Sequence, residues 1–252
     1  TKHHQIEISE KEFLSAIETV IYNIESYDTT TVRASVGNYL VSKYISENTD
    51  CKVIFNGDGS DEVCCGYVYL KNAPSMKELQ SESERLIKEI HYFDVLRSDR
   101  SISSNGLEAR TPFLDKEFVT YYLSIPADLK KFDGEKRLEK HLLRKAFDHQ
   151  GFLPDKVLWR RKCAFSDGVS SQKRSWHRII QNFVDQLISD QEFFREKDSF
   201  KHCVPQLKES YYYRKIFESF FGGHEKLVPH FWMPKWSNTN DPSARELMGY
   251  SE

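Results

Sequence analysis

Apolar residues recur at helical spacing along most of the chain. Ser9-Glu10-Lys11-Glu12 has the form of a capping box, and Phe13, Ile17, Val20, Ile21 and Ile24 follow it at intervals of three or four, predicting a helix. A second helix is expected from about Thr30, with Val32, Val36, Leu40, Tyr44 and Ile45 on its buried side. One long pattern, carried by Leu79, Leu86, Ile87, Ile90, Phe93 and Leu96, predicts a helix over 75–97. Shorter helices are predicted over 116–123, 138–147, 176–188 and 212–221; in the third, Trp176, Ile179, Ile180, Phe183, Val184 and Leu187 form a core-facing stripe. Strand signals are few. Residues 5–8 alternate like a short edge strand, and Lys52-Val53-Ile54-Phe55 reads as a buried strand of a parallel sheet. From Gly222 to the end, Gly222-Gly223, Pro229, Pro234 and Pro242 predict an extended tail (222–252), anchored by Trp232 and Trp236.

Composition narrows the class. With 252 residues, 39% hydrophobic and 29% charged, the chain reads as globular, with a core large enough for one domain. No apolar run is long enough to span a bilayer, and Thr1-Lys2-His3-His4-Gln5 is unlike a signal peptide, so a cytoplasmic protein without a membrane partner is expected. A net charge of -2 gives no global sign of a nucleic-acid partner. The five cysteines (Cys51, Cys64, Cys65, Cys163, Cys203) include no CxxC pair and are odd in number, which points to reduced structural thiols rather than a disulfide framework or zinc site.

Three segments carry candidate chemistry. The loop Asn56-Gly57-Asp58-Gly59-Ser60-Asp61-Glu62 follows the predicted strand, an arrangement that can aim backbone N–H groups at phosphate. Its three carboxylates, Asp58, Asp61 and Glu62, are enough to hold magnesium or a polar substrate; the alternative is a solvated turn. Ile90, Asp94 and Arg97 fall at i, i+4 and i+7 on the long helix, so the charged pair would face a polar cavity, or else form a structural i, i+3 pair. The basic run Arg160-Arg161-Lys162, continuing through Phe165-Ser166-Asp167-Gly168, fits no period and suits a triphosphate or pyrophosphate, or is a solvated basic loop.

These segments, in order with Thr30-Thr31-Val32-Arg33-Ala34-Ser35 and Gly106-Leu107-Glu108-Ala109-Arg110-Thr111-Pro112-Phe113-Leu114-Asp115, resemble the glutamine-dependent asparagine synthetases. The tail motifs Trp232-Met233-Pro234-Lys235-Trp236 and Asp241-Pro242-Ser243-Ala244-Arg245 resemble the eukaryotic branch. The resemblance spans essentially the whole chain, 1–252. It implies an α/β fold of the adenine-nucleotide α-hydrolase kind (PP-loop ATP pyrophosphatase), truncated at its N-terminus, mainly helical with a small parallel sheet remnant. It also implies activation of the aspartate side-chain carboxylate by ATP and Mg2+ to β-aspartyl-AMP, then displacement of AMP by ammonia drawn from glutamine. By motif, Asn56 and Gly57 would contact ATP beside Gly59, Asp58 would meet the intermediate, and Asp61 would bind substrate or orient the loop. Lys162 would neutralise departing pyrophosphate, while Thr30, Arg33, Asp94 and Arg97 would line the aspartate and ammonia side. No side chain is assigned as a resident metal ligand.

The chain departs from that pattern. The Ser-Gly-Gly-Leu-Asp-Ser phosphate loop and the glutaminase domain are absent, so a partner segment or chain supplying them is expected, and a homodimer is a further expectation. Asp58 stands where the family has glutamate, drawing its carboxylate back by roughly 1 Å, and Asn56 replaces serine. Two alternatives follow: a degenerate, non-catalytic binding or regulatory relative, and a related ATP-dependent amide or β-lactam synthetase.

Overall fold

The computed structural model describes residues 2–168, 170, 174–238 and 241. In chain order the elements are α1 (Glu10–Ser15), α2 (Ile17–Ile24), α3 (Thr29–Asn48), β1 (Val53–Phe55), α4 (Ser60–Val63), α5 (Met76–Glu89), α6 (Asp94–Ser103), β2 (Glu108–Arg110), α7 (Lys116–Ser124), α8 (Ala127–Lys130), α9 (His141–Phe147), α10 (Asp155–Leu158), α11 (Phe165–Gly168), α12 (Trp176–Leu187), α13 (Asp190–Glu196) and α14 (Lys208–Phe221). The fold is mainly helical. Its two strands pair in parallel: Glu108 N donates to Lys52 O at 2.8 Å, and Asn56 N donates to Arg110 O at 3.0 Å.

The chain divides into two compact units. The first comprises Thr1–Ile54, Tyr92–Ala109 and Ala164–Trp232; the second comprises Phe55–His91, Arg110–Cys163 and Met233–Glu252.

In the first unit the capping box forms as expected, with Glu12 N donating to Ser9 Oγ and Ser9 N to Glu12 Oε2. The helix it opens breaks at Ala16 into α1 and α2. Asp28 caps α3 by accepting from Thr31 N at 2.9 Å. Ile17, Val20, Ile21, Ile24, Val32 and Val36 pack with Trp176, Ile180, Val184, Tyr213 and Phe217, so the stripes of α2, α3, α12 and α14 share one core. Trp176 is fixed within it by donating Nε1–H to Arg33 O at 3.0 Å.

The second unit has a smaller core in which Val63, Cys64 and Tyr122 meet Ile87, Leu114 and Phe118 from α4, α5 and α7. Burial pushes the Cys64 thiol up to about 12, which suits an inert packing group. All five cysteines are free, Cys51 and Cys163 on the surface.

Four expectations need correction. Residues 5–8 form no strand and pair with nothing in a ladder. The predicted buried strand is not buried: Val53 is 46% and Phe55 77% exposed, because among the described residues no third strand or covering layer joins β1 and β2. The pattern over 75–97 is two helices. α5 ends at Glu89, a 3₁₀ turn spans Ile90–Tyr92, and Phe93 leaves helical geometry at φ -128 and ψ -95. Phe93 buries its ring against His230, with centroids 5.3 Å apart, so Ile90 does not share a helix with Asp94 and Arg97. The helix predicted over 138–147 starts only at His141.

Of the tail, residues 229–238 carry no regular structure; Trp232 is buried and Trp236 partly so, as expected of aromatic anchors. Apart from Asp241, the later tail motif lies outside the described residues, as do the side chains of Ser166 and Asp167.

Candidate functional site

In the second unit, the loop after β1 is shaped by its own side chains. Asn56 Oδ1 accepts from Asp58 N at 3.1 Å, an Asx turn that folds the chain back on itself. Gly59 then sits at φ 86, and a Cβ there would lie 2.3 Å from Leu114 Cδ2, so glycine is required twice over. At Gly57 a Cβ would meet nothing within 4 Å. The helix that follows, α4, is a single turn, too short to supply the aligned dipole that a strand–loop–helix reading assumes.

The chemistry of this unit gathers on Asp61. Its Oδ2 receives Lys162 Nζ at 2.6 Å and its Oδ1 faces Lys140 Nζ at 2.9 Å, while Lys140 Nζ also donates to Ser60 Oγ at 2.9 Å. Burial pushes the Asp61 carboxyl up, but the Lys162 and Lys140 ammoniums outweigh it and hold the group below the usual carboxylate range. Gly66 makes room for this cluster: a Cβ on it would fall 2.0 Å from Asp61 Oδ1 and 2.3 Å from Lys140 Cε. The basic loop is thus no solvated run at Lys162, whose side chain is only 16% exposed.

Glu139 braces the segment that carries Lys162. It is buried, accepts from Lys162 N, and is held by Arg144 at 3.0 Å. The remaining carboxylates diverge. Glu62 is buried and accepts from Tyr67 OH at 2.5 Å, while its carbonyl accepts from Ser83 Oγ at 2.6 Å. Asp58 is half-buried. Among the described residues no three His, Cys, Asp or Glu side chains converge as a metal-ligand set.

In the first unit, α3 and α6 pack together and carry the other four candidates. Arg97 Nη2 donates to Asp94 Oδ1 at 2.7 Å, one turn along α6, with side chains 11% and 22% exposed. Arg33 is buried against Glu209 of α14, its Nε and Nη2 reaching the two carboxylate oxygens at 2.7 and 2.6 Å, and Tyr213 OH donates to the same carboxylate at 2.9 Å. Thr30, on the first turn of α3, has a buried Oγ1 with no hydrogen-bond partner among the described residues. Burial pushes the neighbouring Asp28 carboxyl up despite its bonds from Thr31 and Trp232, and the nearby Asp94 charge adds to that push.

Of the residues singled out by motif, Asp61 meets Lys162 and Asp94 meets Arg97, while Lys140, Glu139 and Glu209 carry no signal in the sequence. Lys140 lay inside a predicted helix, where a lysine reads as solvated; in the fold it precedes α9 at φ 57 and points back to Asp61. Nothing local signals Glu209, 176 residues from its partner.

Comparisons with known proteins identify the family. The asparagine synthase family model matches residues 1–82 and 71–244. The chain is 49% identical over 250 residues to a glutamine-hydrolysing asparagine synthetase of Gallus gallus, covering 99% of this chain and 44% of that protein. It is 49% identical over 251 residues to the Rattus norvegicus enzyme and 46% over 250 residues to the Homo sapiens enzyme, again with 99% and 44% coverage. It thus spans less than half the length of these relatives, and within that span the correspondence is nearly continuous: the chain belongs to the asparagine synthase family.

Proposed function

We propose that the chain carries part of the aspartate-activating site of an asparagine synthetase. In that reaction the aspartate β-carboxylate attacks the α-phosphorus of ATP, the bond to pyrophosphate breaks, and ammonia then forms the amide bond as AMP departs with the carboxylate oxygen. The observation that carries the reading is Asp61 held between Lys162 and Lys140. Two ammoniums on one carboxylate form a compact cationic grip, and an arriving triphosphate would compete for both. Joining a carboxylate to a polyphosphate needs positive charge where negative charges meet, supplied by groups already in place.

In this reading Lys162 and Lys140 take the charge that develops on departing pyrophosphate, and Asp61 holds them before substrate arrives. Asn56 and Gly57 approach the nucleotide, and Asp58 meets the activated intermediate with its shorter reach. Thr30, whose buried hydroxyl has no hydrogen-bond partner among the described residues, and the Asp94–Arg97 pair serve aspartate and ammonia, with Arg33 positioned by Glu209. The wider fold is taken as the PP-loop ATP pyrophosphatase kind, with the phosphate loop and glutaminase supplied by a further segment or chain.

The 252-residue chain alone is expected to release no pyrophosphate from ATP in the presence of aspartate. Joined to the remaining portion of a relative, it should release pyrophosphate and form asparagine, and Lys162→Met should lower kcat by at least about 100-fold, the scale of losing one preorganised charge. Aspartate-dependent release by the chain alone, or full activity in the joined Lys162→Met protein, would overturn this assignment. The short Asp58 favours one second reading, a relative that binds without catalysis. The joined protein decides it: asparagine formation with Asp58 unaltered refutes the non-catalytic reading, whereas no activity there and no gain in Asp58→Glu supports it.

A further inference from the structure

We propose that Tyr67 is the positioning residue for the Lys162 ammonium, and that the segment 233–238 is the outer anchor that fixes Tyr67. The proposal rests on the reading of Lys162 as a phosphate-gripping group, and extends it to residues not assigned a role above.

Lys162 ends a flexible four-carbon stem on a segment without regular structure, and Asp61 holds its ammonium from one side. A further contact is aromatic: Lys162 Nζ lies 5.7 Å from the centroid of the Tyr67 ring. Tyr67 cannot swing freely, because its hydroxyl donates to buried Glu62 at 2.5 Å. Its ring is stacked on Tyr69, with centroids 5.9 Å apart and planes 23° from parallel.

Tyr69 is in turn locked from outside. Its hydroxyl donates at 2.7 Å to Glu82, a fully buried carboxylate that also accepts from Arg85 and receives Lys235 Nζ at 2.7 Å. Trp236 lies against the Tyr69 ring at 6.3 Å, and Asn72 Nδ2 donates to Trp236 O at 3.4 Å. Trp236 is held at φ 53, a left-handed backbone conformation that is costly for a bulky residue and persists only where surroundings enforce it. Lys235 and Trp236 therefore grip the same Glu82–Tyr69 pair that backs Tyr67.

This arrangement suits a lysine that must change partners. When a polyphosphate draws Lys162 away from Asp61, the carboxylate stops restraining it, whereas the ring face consumes none of its three N–H donors. Tyr67 can thus hold the ammonium in place in both states.

The test reads lysine reactivity in the full chain without substrates: amine acylation by acetic anhydride, followed peptide by peptide by mass spectrometry. Tyr67→Leu is expected to raise the Lys162 labelling rate by about threefold, the worth of a partly exposed cation–π contact, and Trp236→Leu by about twofold. Lys140 labelling should stay at the wild-type rate in both, and Tyr67→Phe, which keeps the ring, should stay closer to wild type than Tyr67→Leu. Unchanged Lys162 labelling in the Leu variants overturns the proposal, as does an equal rise at Lys140, which would report general loosening. If Tyr67→Leu does not fold, Trp236→Leu on the partly exposed segment decides alone. Protection of Lys162 by inorganic pyrophosphate in the protein joined to the remaining portion of a relative tests the underlying reading separately: no protection removes the phosphate role and leaves the positioning result standing.

Discussion

At the scale of single residues, Asp61 ties the local electrostatics of the second unit to its stability. Its carboxyl titrates below the usual range in the folded chain because two lysines hold it ionised. The unfolded chain lacks that partnership, so the folded state binds fewer protons as pH falls through the ordinary carboxylate range near about 4. The stabilisation is therefore present above that range and is lost as pH drops through the depressed folded value. Asp61→Asn should cost about 1–3 kcal/mol at neutral pH, since it leaves two partly buried cations facing each other. Denaturant midpoints for the two proteins should converge in acid; a gap that is constant with pH would show that the ion cluster contributes nothing. The opposite arrangement holds at Arg33, where a buried bidentate pair with Glu209 joins α3 to α14 and its worth is mostly the cost of breaking it.

At the scale of elements, Gly59 marks where a strand becomes a site. Gly59→Ala would place a side chain at positive φ and drive it into Leu114, so a loss of about 2–4 kcal/mol is expected, read as a lowered denaturant midpoint. A midpoint equal to wild type would mean that the loop is free to rearrange. Much at this scale was legible in the sequence. The capping box at Ser9 follows from local rules and is present, as is the α12 stripe except at Leu187, which is exposed. The break between α5 and α6 was not legible. Ile90, Phe93 and Leu96 keep helical spacing across it, although Phe93 leaves helical geometry and turns its ring toward His230. Lys140 was hidden for a related reason: its role depends on a backbone reversal before α9 and on a carboxylate far away in the chain. Periodicity reports which side of an element is apolar, and says little of where a polar side chain finds its partner.

At the scale of the whole molecule, the two-stranded sheet is the unfinished feature. Phe55 and Val53 stand exposed on a pair of parallel strands, an arrangement ordinarily covered on both faces. The isolated chain is expected to associate with itself through this apolar surface, and Phe55→Lys should lower that association, followed by sedimentation velocity over a range of concentrations. Concentration-independent sedimentation of the unaltered chain would refute the expectation. The segment composition of the first unit has a different consequence, one of timing. Ile17, Val20 and Val36 are made early, yet they close their core only with Trp176, Ile180 and Phe217. At roughly 5–20 residues per second, a ribosome takes about 10–40 seconds to bridge that gap. Through that interval the nascent helices wait with part of their apolar stripes uncovered, since the residues that close the core over them have yet to be made.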